Sequence, residues 1–301
     1  MPETRRKCAG GMVCELVTRF SLWGVPFYLK NKTKWSVGRM ENKLALRPSY
    51  WASVSGGKDS LYMLKVIFSN LDKYPLDGVV HFELEIDYPF IKDVIDYMES
   101  ECKKFGIPFV RIKPRKNWMF LYEKYGFPSR RTRWCNTSYK LDACRQLEDF
   151  LKSQGYYTIH YIGYCVDETK RYYNRKAAGI TEIYPLVQEG IKEDTILEWA
   201  RNQKIFNNYY KTNRRCGCMF CPMASRISLA YIYKYYPKAF HDLIMLMSIS
   251  EQDMERKTGK PFAITTGNPK YNAEYIERIV KTKWIKILEE REREYDVKGS
   301  C

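Results

Sequence analysis

Apolar and polar residues along the first half of the chain follow a pattern that predicts strands alternating with helices. An apolar run from Tyr50 ends at Ser55, and apolar residues then recur at helical spacing as far as Phe68. Strict alternation predicts a strand over 78–86, and an amphipathic pattern predicts a helix over 90–105. The first hundred residues therefore indicate two successive strand-helix units.

The same pattern continues downstream, with a strand predicted over 108–112, a helix over 136–154 and a strand over 157–165. Repeated units of this kind predict an α/β fold, a doubly wound and mostly parallel sheet with helices on both faces. Ligands of such sheets bind at the carboxyl ends of the strands, where Gly56 and Gly163 fall.

The pattern becomes helical after Pro185. Four helices are predicted there, over 192–203, 225–236, 238–250 and 272–292. We therefore divide the chain into a basic N-terminal extension, an α/β domain and a C-terminal helical subdomain, with bounds 1–48, 49–190 and 191–301.

Composition and charge narrow the class of protein. The 301 residues are 45% hydrophobic and 15% aromatic, which suits a chain that buries an enzyme-sized core and excludes general disorder. Lys and Arg outnumber Asp and Glu by 51 to 35, and the net charge of +16 favours a polyanionic partner or a phosphate-rich substrate.

Hydropathy and cysteine spacing indicate the cellular compartment in which the protein is expected. The sequence contains no apolar run of about 18 residues, so we expect no contact with a membrane. Cys216, Cys218 and Cys221 lie too close together for an extracellular disulfide framework, and such spacing is typical of metal ligands in a reducing compartment. We therefore expect a cytoplasmic protein.

The strongest local motif lies between the first predicted strand and helix. It consists of Ser55, Gly56, Gly57, Lys58, Asp59 and Ser60. Glycines let backbone amides approach phosphate oxygens, the helix N-terminus adds partial positive charge, and the serine and lysine side chains add donors. Asp59 stands where a Walker A loop has Ser or Thr, so the motif is not of that type. The alternative is an ordinary glycine turn.

This motif resembles the PP-loop of the adenine-nucleotide alpha-hydrolase superfamily, which contains ATP pyrophosphatases and phosphoadenylyl sulfate (PAPS) reductases. Three further parts of the chain are similar to family segments: Arg133-Trp134-Cys135 with Lys140, the segment from Gly163 to Arg171, and Pro185-Leu186 with the later cysteines and Pro222. The likeness spans about residues 50–225. Cys165 occupies a position where the family has arginine, and the nearby candidates to replace that arginine are Arg130, Arg131 and Arg133.

The resemblance implies that the chain binds ATP, or PAPS, with Mg²⁺ and acts at the alpha phosphate. It implies catalytic roles for Lys58, Asp59 and Arg171. The nucleotide site would comprise the whole loop 55–60 together with Gly163, Asp167 and Glu168, with Asp59, Asp167 and Glu168 as candidate Mg²⁺ ligands. The alternative for Asp167 and Glu168 is that they only orient Arg171 and its loop.

A second motif is a set of four cysteines, Cys135, Cys216, Cys218 and Cys221. Four thiolates complete either a tetrahedral Zn²⁺ site or a [4Fe–4S] cluster, and spacing does not separate the two. The resemblance favours the cluster, because iron-sulfur members of the superfamily pair one cysteine after an arginine-rich segment with a close downstream set. Buried thiols without metal are the remaining alternative.

Basic residues are dense around Cys135. Residues 111–145 carry ten Lys and Arg against two acidic residues, with Trp and Tyr interleaved. Such a segment can follow a nucleic-acid backbone and stack bases. The alternative is a phosphate pocket beside a solvated helix face. His160 lies within a predicted strand, where a core residue is expected more often than a catalyst.

Together these observations predict a PAPS reductase-like, ATP-using iron-sulfur enzyme that transfers sulfur to DNA or RNA, supplied by a sulfur-donor protein. One alternative is a sulfonucleotide reductase that releases sulfite. The chain ends in Cys301 but lacks the Glu-Cys-Gly motif of such enzymes. The other alternative is a non-catalytic nucleic-acid-binding module that keeps the loop and cluster as structure.

Overall fold

The computed structural model describes residues 46–169, 171 and 181–298. The predicted N-terminal extension lies almost wholly outside these residues, as does Cys301. Within the described part of the chain, no helix combines the length and the apolar run that crossing a membrane requires.

A five-stranded parallel sheet forms the centre of the molecule. Its strands are β1 Arg47–Val54, β2 Gly78–Phe82, β3 Phe109–Ile112, β4 Tyr156–Tyr161 and β5 Glu182–Ile183. They lie in the order β3-β2-β1-β4-β5, and every neighbouring pair is parallel. The predicted doubly wound α/β fold is therefore confirmed. Because the order reverses at β1, the ligand crevice of this fold opens at the carboxyl ends of β1 and β4.

Helices follow most strands and form the C-terminal part of the described chain. They are α1 Lys58–Phe68, α2 Pro89–Lys104, α3 Trp118–Tyr125, α4 Leu141–Ser153, α5 Pro185–Gln188, α6 Glu193–Arg201, α7 Tyr209–Thr212, α8 Arg226–Tyr235, α9 Pro237–Thr258, α10 Ala273–Ile279 and α11 Ile285–Lys298. Two π-helical segments, Cys135–Lys140 and Val280–Trp284, precede α4 and α11. The helix α3 has no counterpart among the helices that periodicity predicts.

The layers of protein that cover the two faces of the sheet differ in thickness, and we call the faces thick and thin accordingly. On the thick face, Ala52, Val54 and Val79 join a core that includes α1 and α2 and continues into the C-terminal helices. The thin face is covered by α4, and its core consists of Trp51, Val80, Val110, Ile112, Ala143, Leu147 and Leu151. Alternate residues of each strand face opposite sides, so neighbouring positions on one strand belong to different cores.

Two strands end earlier than predicted. The alternation over 78–86 continues beyond Phe82, but the backbone there turns, and Met219 N donates to the carbonyl of Ile86 at 2.8 Å. The apolar residues after Phe82 therefore pack against the cysteine-bearing loop instead of extending β2. Likewise β4 ends at Tyr161, after which the chain forms a loop across the carboxyl edge of the sheet.

Candidate nucleotide and cysteine site

Glycines shape the loop after β1. Gly56 has φ of +75°, and a Cβ there would lie 2.7 Å from Ile91 Cγ2, so only glycine fits without a shift. A Cβ on Gly163 would lie 2.9 Å from the carbonyl oxygen of Asp59. The loop after β4 therefore rests directly against the first turn of α1, as the crevice of a doubly wound sheet requires.

Serine side chains brace the same loop from within. Ser60 Oγ donates to the carbonyl of Gly57 at 2.9 Å and accepts from Ser55 N at 3.3 Å. Gly57 N donates to Ser55 Oγ at 3.4 Å. Lys58 N donates to the hydroxyl of Tyr210 at 2.9 Å. These contacts hold the N-terminus of α1 in one conformation at the carboxyl edge of the sheet.

Lys58 is fully buried in this site. Its Nζ lies 2.6 Å from Asp59 Oδ1 and 3.5 Å from Glu193 Oε1. Burial raises the pKa of Asp59, and the nearby carboxylates of Glu168 and Glu193 add to this, although Lys58 opposes it. The cation that the sequence predicts as a phosphate contact is thus held by carboxylates in the structure described here.

Two arginines reach the buried carboxylates from the solvent side. Arg171 Nη1 lies 2.6 Å from Glu168 Oε1, and Arg215 Nη2 lies 3.1 Å from the same oxygen. Arg215 also contacts Glu193 at 3.3 Å. Burial raises the pKa of Glu193, but the hydrogen bond from Arg215 and the charge of Lys58 outweigh it, so the pKa lies below its ordinary value.

Asp167 has a different environment. Its Oδ1 accepts from the backbone N of Glu193 at 3.2 Å, so its carboxylate binds the first residue of α6. Arg171 lies with its guanidinium 4.5 Å from the centre of the Tyr164 ring. The loop after β4 thus joins the nucleotide motif to α6: Gly163 lies against Asp59, the Glu168 charge acts on Asp59, and Asp167 binds α6. Arg171 reaches this group through its ion pair with Glu168.

Sequence patterns did not reveal four contributors to this site: Glu193, Tyr210, Arg214 and Arg215. A signal existed for the arginines, because the pair directly precedes Cys216. Glu193 and Tyr210 carry no motif, and only the packing of α6 and α7 against α1 brings them to Lys58.

The four predicted cysteines come together on the thick face. Cys135 begins the π-helical segment before α4, and the others lie in the loop between α7 and α8. The charge of Lys140 favours the thiolate form of all four cysteines, opposing the burial that raises the pKa of Cys135 and Cys216. Cys218, and less strongly Cys221 and Cys135, in turn raise the pKa of Lys140. Lys140 therefore lies near the cysteine set.

Two of these thiols share a proton. The hydrogen bond between Cys218 and Cys221 raises the pKa of Cys218 and lowers that of Cys221 to about 6. Burial is the main reason that the pKa values of Cys135 and Cys216 lie above their ordinary value. An all-sulfur donor set with one thiolate already favoured suits a thiophilic metal.

Tyr210 connects the two parts of the site. Its hydroxyl accepts from Lys58 N at 2.9 Å. The same side chain lies close enough to Cys216 to oppose the rise in the pKa of that thiol, which burial causes. The side chain of Tyr210 is buried and packs at right angles against Phe206 with ring centres 4.8 Å apart. A single rigid side chain therefore joins the nucleotide motif to the cysteines.

The basic residues of the segment 111–145 include some that form ion pairs with carboxylates and others that do not. Arg111 forms ion pairs with Asp96 and Glu99 at 2.6 Å each, and Arg115 pairs with Asp142 at 3.3 Å. By contrast, the exposed arginines next to the cysteine site form no ion pair with any residue in the described ranges; they are Arg130, Arg131 and Arg133.

Exposed aromatic rings lie on the helix just before these arginines. Phe120 is 48% exposed and Tyr125 is 46% exposed. Lys116 lies 5.6 Å from the centre of the Phe120 ring, and Lys124 lies 5.1 Å from that of Tyr125. Cations and open ring faces therefore alternate along the approach to Cys135.

Comparison with known proteins gives limited similarity. No family model matches the chain. It is 27% identical over 222 residues to the uncharacterized protein MJ0973 of Methanocaldococcus jannaschii, an alignment that covers 68% of this chain and 49% of that protein. The chain thus spans about half the length of this curated relative. Among solved structures, it is similar to the U34-tRNA thiolase NcsA from Methanococcus maripaludis with its [4Fe-4S] cluster, with 16% identity and a TM-score of 0.34 over 79% of this chain and 74% of that one.

Proposed function

We propose that this protein is a PP-loop enzyme of the PAPS reductase-like group, which binds ATP, acts at its alpha phosphate and carries a [4Fe–4S] cluster for sulfur transfer to nucleic acid. The observation that supports this best is the position of Tyr210, whose hydroxyl bonds the loop 55–60 and which lies close enough to Cys216 to lower the pKa of that thiol. A nucleotide motif and a metal-ligating set that share one side chain are suited to one reaction.

The nucleotide part of the proposal rests on the loop at the crevice. ATP would place its phosphates at the N-terminus of α1, where backbone amides and the helix dipole favour anions. Arg171 and Arg215 are half exposed and can exchange their carboxylate partners for phosphate oxygens. Mg²⁺ would neutralise further charge, with Asp59 as its nearest candidate ligand, since this side chain is one-third exposed.

In the proposed reaction, an oxygen of the acceptor attacks the alpha phosphorus and the bond to pyrophosphate breaks. Arg171 and Arg215 stabilise the charge that develops on the departing pyrophosphate. Hydrosulfide released by a donor protein then attacks the activated carbon of the acceptor; the carbon–sulfur bond forms, the carbon–oxygen bond breaks, and AMP leaves with the oxygen, with no change of oxidation state. The role of this chain's residues is to orient the nucleotide and to exclude water from the alpha phosphate.

The cysteine part of the proposal favours iron-sulfur over zinc. One Zn²⁺ with four thiolates at about 2.3 Å would bring the sulfurs to about 3.8 Å from one another. In the described part of the chain, the group whose metal-ligating atoms lie within 4.8 Å of one another is a different one, Cys144, Glu148 and His160. A cluster binds each thiolate through a separate iron, so its ligands need not converge on a single point. Bound by Cys135, Cys216, Cys218 and Cys221, such a cluster would supply iron with an affinity for sulfur.

The nucleic-acid part rests on the open cations beside Cys135. Arg130, Arg131 and Arg133 are exposed, and the rings of Phe120 and Tyr125 offer surfaces on which bases can stack. This rim adjoins the cysteine set directly in sequence, so a nucleic acid that follows it reaches the proposed cluster.

The test is pyrophosphate release from ATP by anaerobically prepared protein, measured with and without total RNA or DNA. We expect release that depends on nucleic acid, and a loss of at least about a hundredfold in the Arg171→Ala variant, typical of removing one electrostatic stabiliser. Arg256→Ala, an exposed cation on α9, is the matched control and should keep full activity. Sulfite release from PAPS without pyrophosphate release from ATP would instead identify a sulfonucleotide reductase.

Metal analysis of the same preparation tests the cluster. We expect iron and sulfide in about equal amounts, both lost in Cys218→Ser and retained in Cys144→Ser. Stoichiometric zinc at the four cysteines, with no iron, would contradict this part of the proposal.

Salt dependence tests the nucleic-acid rim separately. Each phosphate contact contributes about 0.7 to 0.9 to the slope of log affinity against log salt. The double variant Arg130→Gln/Arg131→Gln should therefore lower that slope by about 1.5. Arg111→Gln/Arg115→Gln is the control, because these guanidinium groups already pair with carboxylates. Equal slopes in wild type and both variants would exclude this rim as the interface.

A further inference from the structure

Three metal-ligating side chains meet on the thin face, away from the site described above. Cys144 and Glu148 lie one turn apart on α4, and His160 lies opposite them on β4. Glu148 Oε1 lies 3.4 Å from His160 Nε2, and Cys144 Sγ lies 3.5 Å from the same carboxylate oxygen. The three ligand atoms all lie within 4.8 Å of one another.

We propose that Cys144, Glu148 and His160 form a Zn²⁺ site. In a tetrahedral zinc site with ordinary bond lengths, the carboxylate oxygen and the imidazole nitrogen lie about 3.4 Å apart, and the oxygen and the sulfur about 3.6 Å. The observed separations of 3.4 Å and 3.5 Å match these edges. Zinc can thus be bound with little change in the distances from Glu148 Oε1 to His160 Nε2 and to Cys144 Sγ.

The histidine is prepared for this role by its second nitrogen. Nδ1 of His160 lies 3.0 Å from Ser53 Oγ, and in the tautomer in which Nδ1 donates to this hydroxyl, Nε2 carries the lone pair that a metal ion binds. Nε2 is buried and forms no hydrogen bond of ordinary geometry with the described residues, although Glu148 Oε1 lies 3.4 Å away. A buried nitrogen acceptor without a donor is costly, and a metal ion would satisfy it.

The donor set selects the ion. Thiolate and imidazole ligands suit Zn²⁺, whereas Mg²⁺ and Ca²⁺ prefer oxygen ligands throughout. Three protein ligands leave a fourth position, which is the arrangement of zinc sites that hold a water molecule or a substrate. The Glu148 side chain is 45% exposed, so this fourth position faces solvent. The site is independent of the four cysteines, which lie on the other face of the sheet.

Zinc binding by the purified full-length protein tests this proposal. Equilibrium dialysis against Zn²⁺ should show one equivalent more in wild type than in Cys144→Ser. Glu148→Gln should weaken that equivalent by at least about tenfold, because it removes a ligand charge. Asp149→Asn, an exposed neighbour on the same helix, is the matched control and should bind as wild type does. Cys218→Ser, which alters the other cysteine set, should leave this equivalent unchanged.

Co²⁺ binding gives a second test that does not depend on measuring the zinc stoichiometry. Loading with Co²⁺ should produce thiolate charge-transfer absorption, and part of it should disappear in Cys144→Ser while the unfolding midpoint of the metal-free variant stays close to that of wild type. Equal zinc stoichiometry and equal cobalt spectra in wild type and Cys144→Ser would overturn the proposal. Thermal unfolding should shift upward with Zn²⁺ in wild type and Asp149→Asn and less in Glu148→Gln.

Discussion

Each face of the sheet buries one histidine, and the two are used differently. On the thick face, Nδ1 of His81 donates to the carbonyl of Val54 at 2.9 Å. The last residue of the neighbouring strand β1 therefore satisfies this ring nitrogen. On the thin face, Nε2 of His160 reaches toward side chains of α4 that remain open to solvent. The thickness of the layer that covers each face therefore decides whether the buried histidine is hydrogen-bonded within the protein or can still bind a ligand.

The charged residues show the same contrast. Lys58 on the thick-face side is fully buried and paired, whereas the Glu148 side chain on the thin face is 45% exposed. A charge buried in a thick layer of protein is stable only if oppositely charged or hydrogen-bonding groups surround it. Removing one of these groups then lowers the free energy of unfolding far more than the same change at the surface. Three measurements sharpen this comparison.

The largest loss of stability is expected for a leucine on the thick face. Leu64 on α1 and Leu147 on α4 are both almost fully buried, but on opposite faces. Leu64→Ala should lower the free energy of unfolding by about 4 kcal/mol, and Leu147→Ala by about 2.5 kcal/mol, because the single covering helix α4 can move inward and shrink the cavity. Urea unfolding of both variants measures this; equal losses would show that the two layers are equally rigid.

A smaller effect is expected from the buried lysine. Lys58→Met keeps the packing but leaves Asp59 without its ammonium, which should cost about 3 kcal/mol, the lower end for breaking a buried pair, since Asp59 stays one-third exposed. Adding Asp59→Asn should restore about half of this loss. Glu148→Gln on the thin face should change the free energy of unfolding by less than about 1 kcal/mol. A Lys58→Met variant as stable as wild type would contradict the assigned pairing.

The smallest effect is a pH dependence from the sealed histidine. Burial lowers the pKa of His81 below its ordinary 6.5. Below pH 6.5 the unfolded chain binds a proton that the folded chain does not, so stability present above this pH is lost as the pH falls, by at most about 1.4 kcal/mol per pH unit. His81→Gln should flatten this part of the stability curve between pH 6.5 and 5. The exposed His241→Gln is the control and should leave it unchanged.

Periodicity and turn chemistry were sufficient to predict β1 to β4, the loop 55–60 and most helices, because these depend on local sequence, whereas the two-residue strand β5 was not predicted. The helix α3 escaped prediction because its buried face consists of aromatic residues such as Trp118 and Tyr122, which pack in a cluster and not along a regular stripe. The early ends of β2 and β4 were not predictable either, since long-range contacts decide where the backbone leaves the sheet.

The candidate site divides in the same way. The predicted residues of the loop and the cysteine set carry recognisable motifs, whereas Glu193 and Tyr210 become site residues only through the docking of α6 and α7. His160 was expected in the core, and it is buried there. Its approach to Cys144 and Glu148 depends on the pairing of a strand with a helix, which sequence spacing does not specify.

The buried hydroxyl of Tyr210 has a thermodynamic consequence. Because it accepts from Lys58 N and also influences the pKa of the nearby Cys216 thiol, a ligand that moves Tyr210 at one end of the site alters the other end. Any change that nucleotide binding makes in metal affinity must then be matched by an equal factor in the effect of metal on nucleotide affinity, since coupling free energies are reciprocal. Tyr210→Phe removes both effects at once, so the two affinities, measured singly and together, should become independent of each other in that variant.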